Sequence, residues 1–324
     1  MSRPLRTLLP LAPVAAAIVF SVVSSPKRAT AEDTGADSAE HAERCATRLS
    51  SAILGEGPAA DLLANRQPQG TVDAMLKDAK FVERFSRFIN SQFNTAPGAM
   101  PAEDASYYMT KYVLENSKPW SDMFIGQYDV APQNAQQPMG EAVVTPNAEG
   151  LGYFRSRAWA VRYAGNEPAG IRIVTAYRMM QNTIGLTLAA TTNAPDADVS
   201  AAGRKAPQCA GCHYTPWFAL DNVAAVLGTR QGTGAQTRFT PSSLGPQQIF
   251  GGVTISNDKE LVTALVGNEA FNVNACRLAY KYLYGRAERS CEGPVFDQCV
   301  DAFKKDKTIT SALAVVAKDP LFCD

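Results

Sequence analysis

The chain has 324 residues, 46% hydrophobic and 19% charged, with 31 Lys and Arg against 31 Asp and Glu. Such a composition supports a sizeable buried core and excludes disorder driven by charge. No Lys/Arg cluster or basic stripe stands out, which argues against nucleic acid as a partner.

The first residues read as a leader. Arg3 and Arg6 precede an apolar run over 8–23, and Ala29-Thr30-Ala31 offers the small-x-small pattern of a signal-peptidase cut. The run is short for a bilayer span and contains Pro10 and Pro13, so export with cleavage of residues 1–31 is expected rather than a retained anchor. Removing Arg3, Arg6, Lys27 and Arg28 leaves 27 basic residues against 31 acidic ones, a net charge of −4. The expected destination is the periplasm or the exterior, with no stable membrane span after cleavage.

Residues 32–40 are small and acidic and read as a flexible linker. A helix is expected over 41–54, closed by Gly55 and Gly57. Thr71 reads as the N-cap of a long amphipathic helix over 71–93, with Met75, Phe81, Val82, Phe85, Phe88 and Ile89 recurring at helical steps. Further helical patterns cover 103–114 and a short piece after Pro119-Trp120. The stretch 128–170 reads as loops with a short strand pair. Helical character returns over 171–188, closing a helical N-terminal domain at 41–192. A polar linker at 193–208 opens a second helical domain, 193–324. Its expected elements are a helix at 217–227, a Gly/Thr/Gln-rich loop at 228–248, and helices at 258–266, 270–284 and 294–317, the last broken near Lys305. The class is mainly α, with little strand and no internal repeat.

The chemistry is concentrated in Cys209-Ala210-Gly211-Cys212-His213. Two thiols separated by two residues on a helical turn reach the two vinyl groups of one haem, and a histidine directly after the second cysteine supplies the proximal iron ligand. The expected cofactor is therefore one covalent haem c on Cys209, Cys212 and His213. A zinc site would need a second Cys or His pair, and the only other histidine is the distant His41. A thioredoxin-like redox pair would follow a strand in a βαβ unit, whereas this segment follows a polar loop.

No methionine or histidine follows His213, so a sulfur ligand on the other side of the iron must come from upstream. Met179 and Met180 are the best placed, His41 is a weaker candidate, and an open iron site is the alternative. Methionine is also a common filler of core gaps. Trp217, Phe218 and Leu220 are candidates for an apolar haem wall, and Tyr214 for a donor to a haem propionate.

Three stretches together resemble a family of exported cytochrome c-like proteins of planctomycetes and myxobacteria. They are Met75 to Phe85 (MLKDAKFVERF), Pro216-Trp217-Phe218-Ala219-Leu220-Asp221-Asn222 after the haem segment, and Cys276 to Arg286 (CRLAYKYLYGR). The resemblance covers most of 45–324 and implies export, haem binding and a cytochrome c-like C-terminal part. One departure is Thr215 before Pro216, where the family has Asp-Pro. Only the haem segment in it is chemically specific.

Seven cysteines suit an oxidising compartment. If the helices carrying Cys276 and Cys299 pack antiparallel, these two thiols face each other, and Cys291 and Cys323 then meet as a second pair. Cys45 is left over, either as a buried thiol or in place of one member of that pairing. The favoured function is transfer of single electrons between periplasmic redox proteins. The alternatives are a haem enzyme or gas or peroxide sensor with an open axial site, and an adaptor in which haem is secondary.

Overall fold

The computed structural model describes residues 35–98, 104–137, 140–163, 172–188, 196, 198–215, 219–231 and 238–324. The expected leader, Trp217 and Phe218 lie outside the described residues.

The protein is mainly α. Helix α1 (Gly35–Leu49) continues into a π-helical turn, Ser50–Leu54, and stops at Gly55, whose φ of 77° is the left-handed geometry glycine adopts without cost. The helix starts six residues before the expected 41, so much of the segment read as a linker is helical. The long helix expected over 71–93 is interrupted. After the short helices α2 (Ala60–Ala64) and α3 (Val72–Met75), Asp78 turns extended and its carboxylate accepts from the Lys80 amide, starting α4 (Ala79–Phe93) afresh. Asp78, not Thr71, is thus the N-cap, and a carboxylate there satisfies an amide that has no partner within the helix.

Helices α5 (Ala105–Glu115) and α6 (Asp122–Ile125) lead to a hairpin of β1 (Tyr128–Pro132) and β2 (Ala142–Pro146), antiparallel with Val130 opposite Val144. Helices α7 (Arg157–Arg162) and α8 (Ile173–Ile184) follow, then α9 (Pro207–His213) and α10 (Leu220–Ala225). The stretch read as a loop at 228–248 contains strand. Two small hairpins pair β3 (Thr229–Gln231) with β4 (Arg238–Thr240) and β5 (Gln247–Ile249) with β6 (Val253–Ile255). Three-residue strands leave too little periodicity to read from sequence. Helices α11 (Asp258–Val266), α12 (Glu269–Tyr284), α13 (Gly293–Asp306) and α14 (Ile309–Lys318) complete the chain. The expected break near Lys305 falls at Lys307, which adopts φ 60°.

Helix α12 is the hub, touching α8, α13, α14 and the π-helical turn. Its Tyr282 meets Phe85 edge-on at 5.0 Å between ring centroids, and its hydroxyl donates to the Ile53 carbonyl at 2.7 Å. Phe81, Phe85, Ile89 and Phe93 line the buried face of α4, and one cluster of buried side chains runs from Cys45 to Cys323. Residues on both sides of the expected boundary near 193 contribute to it. The Gln69 side-chain amide donates to the carbonyls of Ala317 and Asp319 at 3.0 and 2.7 Å.

Two disulfides join Cys276 to Cys299 and Cys45 to Cys323. The first is the pair expected from antiparallel packing of α12 and α13. The second corrects the expected partner of Cys323: Cys45 on α1 takes that place, and Cys291 is an exposed free thiol. The reason is tertiary. Helix α1 passes beside the chain end, bringing Cys45 and Cys323 to a Cα separation of 4.6 Å despite 278 residues between them. Among the described residues, no helix is long and apolar enough to cross a membrane.

Candidate haem-attachment site

Helix α9 is short and locally determined. Pro207 occupies its first turn, where a missing amide proton costs nothing, and Ala206 before it is extended, with ψ 147°. The helix ends as Tyr214 and Thr215 both donate their amides to Ala210, at 2.9 and 3.0 Å, while the Thr215 hydroxyl bonds the Gly211 carbonyl. Pro216 comes next in sequence and cannot continue a helix.

On this turn Cys209 and Cys212 are three residues apart and share one face, with His213 following directly. Both thiols are partly exposed and neither is in a disulfide. A Cβ built on Gly211 meets nothing within 4 Å, so the outer side of the turn is open.

His213 is not free to rotate. Its Nδ1 lies 2.7 Å from Asp221 Oδ2, and the Asp221 side chain is only 5% exposed. The same carboxylate accepts from Arg204, whose Nη2 and Nε stand 2.9 and 3.1 Å from Oδ1, and from the Tyr214 hydroxyl at 3.0 Å. Burial, and then donation to Asp221, raise the Tyr214 hydroxyl above its ordinary range. Arg204 is anchored in turn, its Nη1 donating to the Val199 carbonyl at 2.5 Å. Asp221 lies in the first turn of α10, and Ala219, fully buried, takes φ 43° just before that helix. Left-handed backbone at a residue with a side chain is uncommon and costs on the order of 1 kcal/mol, and the surrounding packing holds it here.

Helix α10 connects this turn to the core. Leu220, Val223 and Ala224 are buried, and α10 packs directly on α8. Met179 and Met180 lie on α8, 2% and 0% exposed, within the core cluster. His41 lies on α1, its Nδ1 4.0 Å from Asp324 near the chain end. The Tyr214 hydroxyl, read as a propionate donor, is committed to Asp221.

The donor set tests the cofactor chemically. Among the described residues, no group of three or more His, Cys, Asp or Glu side chains converges as it would around a metal ion. Zinc needs such convergence. Haem c does not: its thiols bond the porphyrin edge and a single imidazole takes the iron. Two unpaired thiols on one helical face, followed by an imidazole held at Nδ1, fit that group.

Sequence reasoning missed Arg204 and Asp221. The available signal was a carboxylate at Asp221 within an otherwise apolar helix start, a position that burial makes costly unless a partner is present. No family model, curated protein or solved structure matches the chain.

Proposed function

We propose that this protein is an exported c-type cytochrome that passes single electrons between periplasmic redox proteins. The observation that carries the reading is the pair of unpaired thiols, Cys209 and Cys212, on the turn that ends in an Asp221-held His213. Each thiol would add across one vinyl group, sulfur bonding one carbon and its hydrogen ending on the other, so no outside oxidant or reductant is consumed. His213 would bind the iron through Nε2, the ring nitrogen not committed to Asp221. When bound, haem supplies an iron couple that takes one electron from a reduced partner and gives it to an oxidised one.

Export into an oxidising compartment is supported by the leader pattern at residues 1–31 and by the two disulfides. Met179 or Met180 would supply a second protein ligand to the iron, a reading supported by the contact of α8 with α10 and the lack of any later methionine. An open axial site is the competing state, and the same experiments decide it.

The test is expression in a host with c-type maturation. The expected product is red, keeps its haem through denaturing electrophoresis, and shows sharp low-spin α and β bands when reduced with dithionite. The double variant Cys209→Ala/Cys212→Ala should be colourless. Met179→Leu or Met180→Leu should alter the spectrum or potential. Wild-type protein whose mass equals that of bare polypeptide would overturn the reading, and ready carbon monoxide binding to the natively folded, dithionite-reduced protein would overturn the methionine ligand.

A further inference from the structure

Histidines that ligate metals usually donate their second ring N–H to a neighbouring group, which sets the tautomer and the donor strength of the ligating nitrogen. Here that neighbour is a buried carboxylate. Asp221 Oδ2 is 2.7 Å from His213 Nδ1, and the Asp221 side chain is 5% exposed. A full negative charge accepting from Nδ1 makes Nε2 a stronger electron donor than a neutral acceptor would. It also lies close enough to act on any charge that Nε2 carries.

The carboxylate is itself balanced. The Arg204 guanidinium, 11% exposed, approaches Asp221 Oδ1 at 2.9 Å through Nη2 and Oδ2 at 3.2 Å through Nε, and Tyr214 donates to Oδ1 at 3.0 Å. Removing either charge of a pair this buried leaves the other weakly screened. The pair therefore has two settings that can be moved in opposite directions.

We propose that Asp221 is the positioning residue of the haem centre: it fixes His213 as the Nδ1–H tautomer and holds the iron potential low, while Arg204 limits that effect by sharing the carboxylate. The inference rests on the reading of His213 as an iron ligand. Asp221→Asn keeps an acceptor of the same shape but removes the charge, so reduction of the iron becomes easier. Arg204→Gln removes the opposing charge, so reduction becomes harder. A purely structural role, in which either change loosens the site and admits water, would move both potentials the same way.

The experiment is redox titration of the purified holoprotein, wild type and both variants, with haem content measured first. The expected result is a shift of at least tenfold in the reduction equilibrium for each variant, about 59 mV for one electron, upward for Asp221→Asn and downward for Arg204→Gln. Asp221→Glu should restore the potential towards that of wild type. If Asp221→Asn fails to retain haem, Asp221→Ser, which also removes the charge, takes its place in the comparison and should again shift upward against the downward shift of Arg204→Gln. Variants that hold covalent haem but share the wild-type potential, or shift in one common direction, would overturn this inference and leave the function standing. A haem-free wild type would overturn both.

Discussion

Of the two disulfides, Cys45–Cys323 closes much the longer loop, and its removal should cost more stability than removal of Cys276–Cys299. A cross-link restricts the unfolded chain by an entropy that grows with the logarithm of loop length. For the 278-residue separation this amounts to about 5–6 kcal/mol, against about 3 kcal/mol for the 23-residue separation of Cys276 and Cys299. Because the long loop runs through many other native contacts and real denatured chains retain structure, we expect about 4–5 kcal/mol for Cys45→Ala/Cys323→Ala. Cys276→Ala/Cys299→Ala should cost about 3 kcal/mol, and Cys291→Ala less than about 0.5 kcal/mol because its side chain is exposed. The assay is guanidinium unfolding without reductant, following the far-UV signal, with peptide mapping of non-reduced digests. If Cys291→Ala proves as damaging as loss of Cys45, or a Cys291–Cys323 peptide is recovered, the tertiary argument that seats α1 beside the chain end is wrong.

Two further perturbations probe the core and the charge network. Phe85, fully buried and in ring contact with Phe81, Phe88, Trp120 and Tyr282, should cost about 3–5 kcal/mol as Phe85→Ala in urea unfolding, and a loss below about 1 kcal/mol would show that the aromatic cluster is not the keystone of the α4–α12 contact. The Glu292 carboxyl is held below its ordinary value of 4.5 chiefly by the Arg286 guanidinium, with help from the Arg289 amide against the opposing effect of burial. A depressed folded pKa means that this pairing stabilises fully above pH 4.5 and is lost as the pH falls below that value. The gap in urea midpoint between wild type and Glu292→Gln should therefore be constant from neutral pH to about pH 5 and close towards pH 3; a gap unchanged at pH 3 would refute the assignment.

Much of the helix content was legible because it rests on local rules. The stops at Gly55 and near Lys305, the short helix after Pro119-Trp120, and the helices at 258–266 and 270–284 all follow from periodicity and from residues that break or cap a helix, and the structure has them within a few residues. The long helix over 71–93 misled because its apolar spacing continues across Asp78, whose side chain prefers to cap the next amide rather than prolong the helix. The hairpins within 228–248 and beyond it escaped because strands of three residues carry almost no pattern.

By itself the sequence determined the mainly helical class and the arrangement of Cys209, Cys212 and His213, since both depend on neighbours a few residues apart along one chain. It also favoured Cys276 with Cys299, on the condition that consecutive helices pack side by side, but the same reasoning gave Cys323 the wrong partner. What only the tertiary structure decided were the contacts between side chains: Cys45 against Cys323, the shared core on both sides of residue 193, and Asp221 against His213 and Arg204. The first two depend on how the whole core packs and lie beyond any rule acting over a few positions; for Asp221 a local pattern flags a buried carboxylate in need of a partner, and only the fold names His213 and Arg204 as its partners.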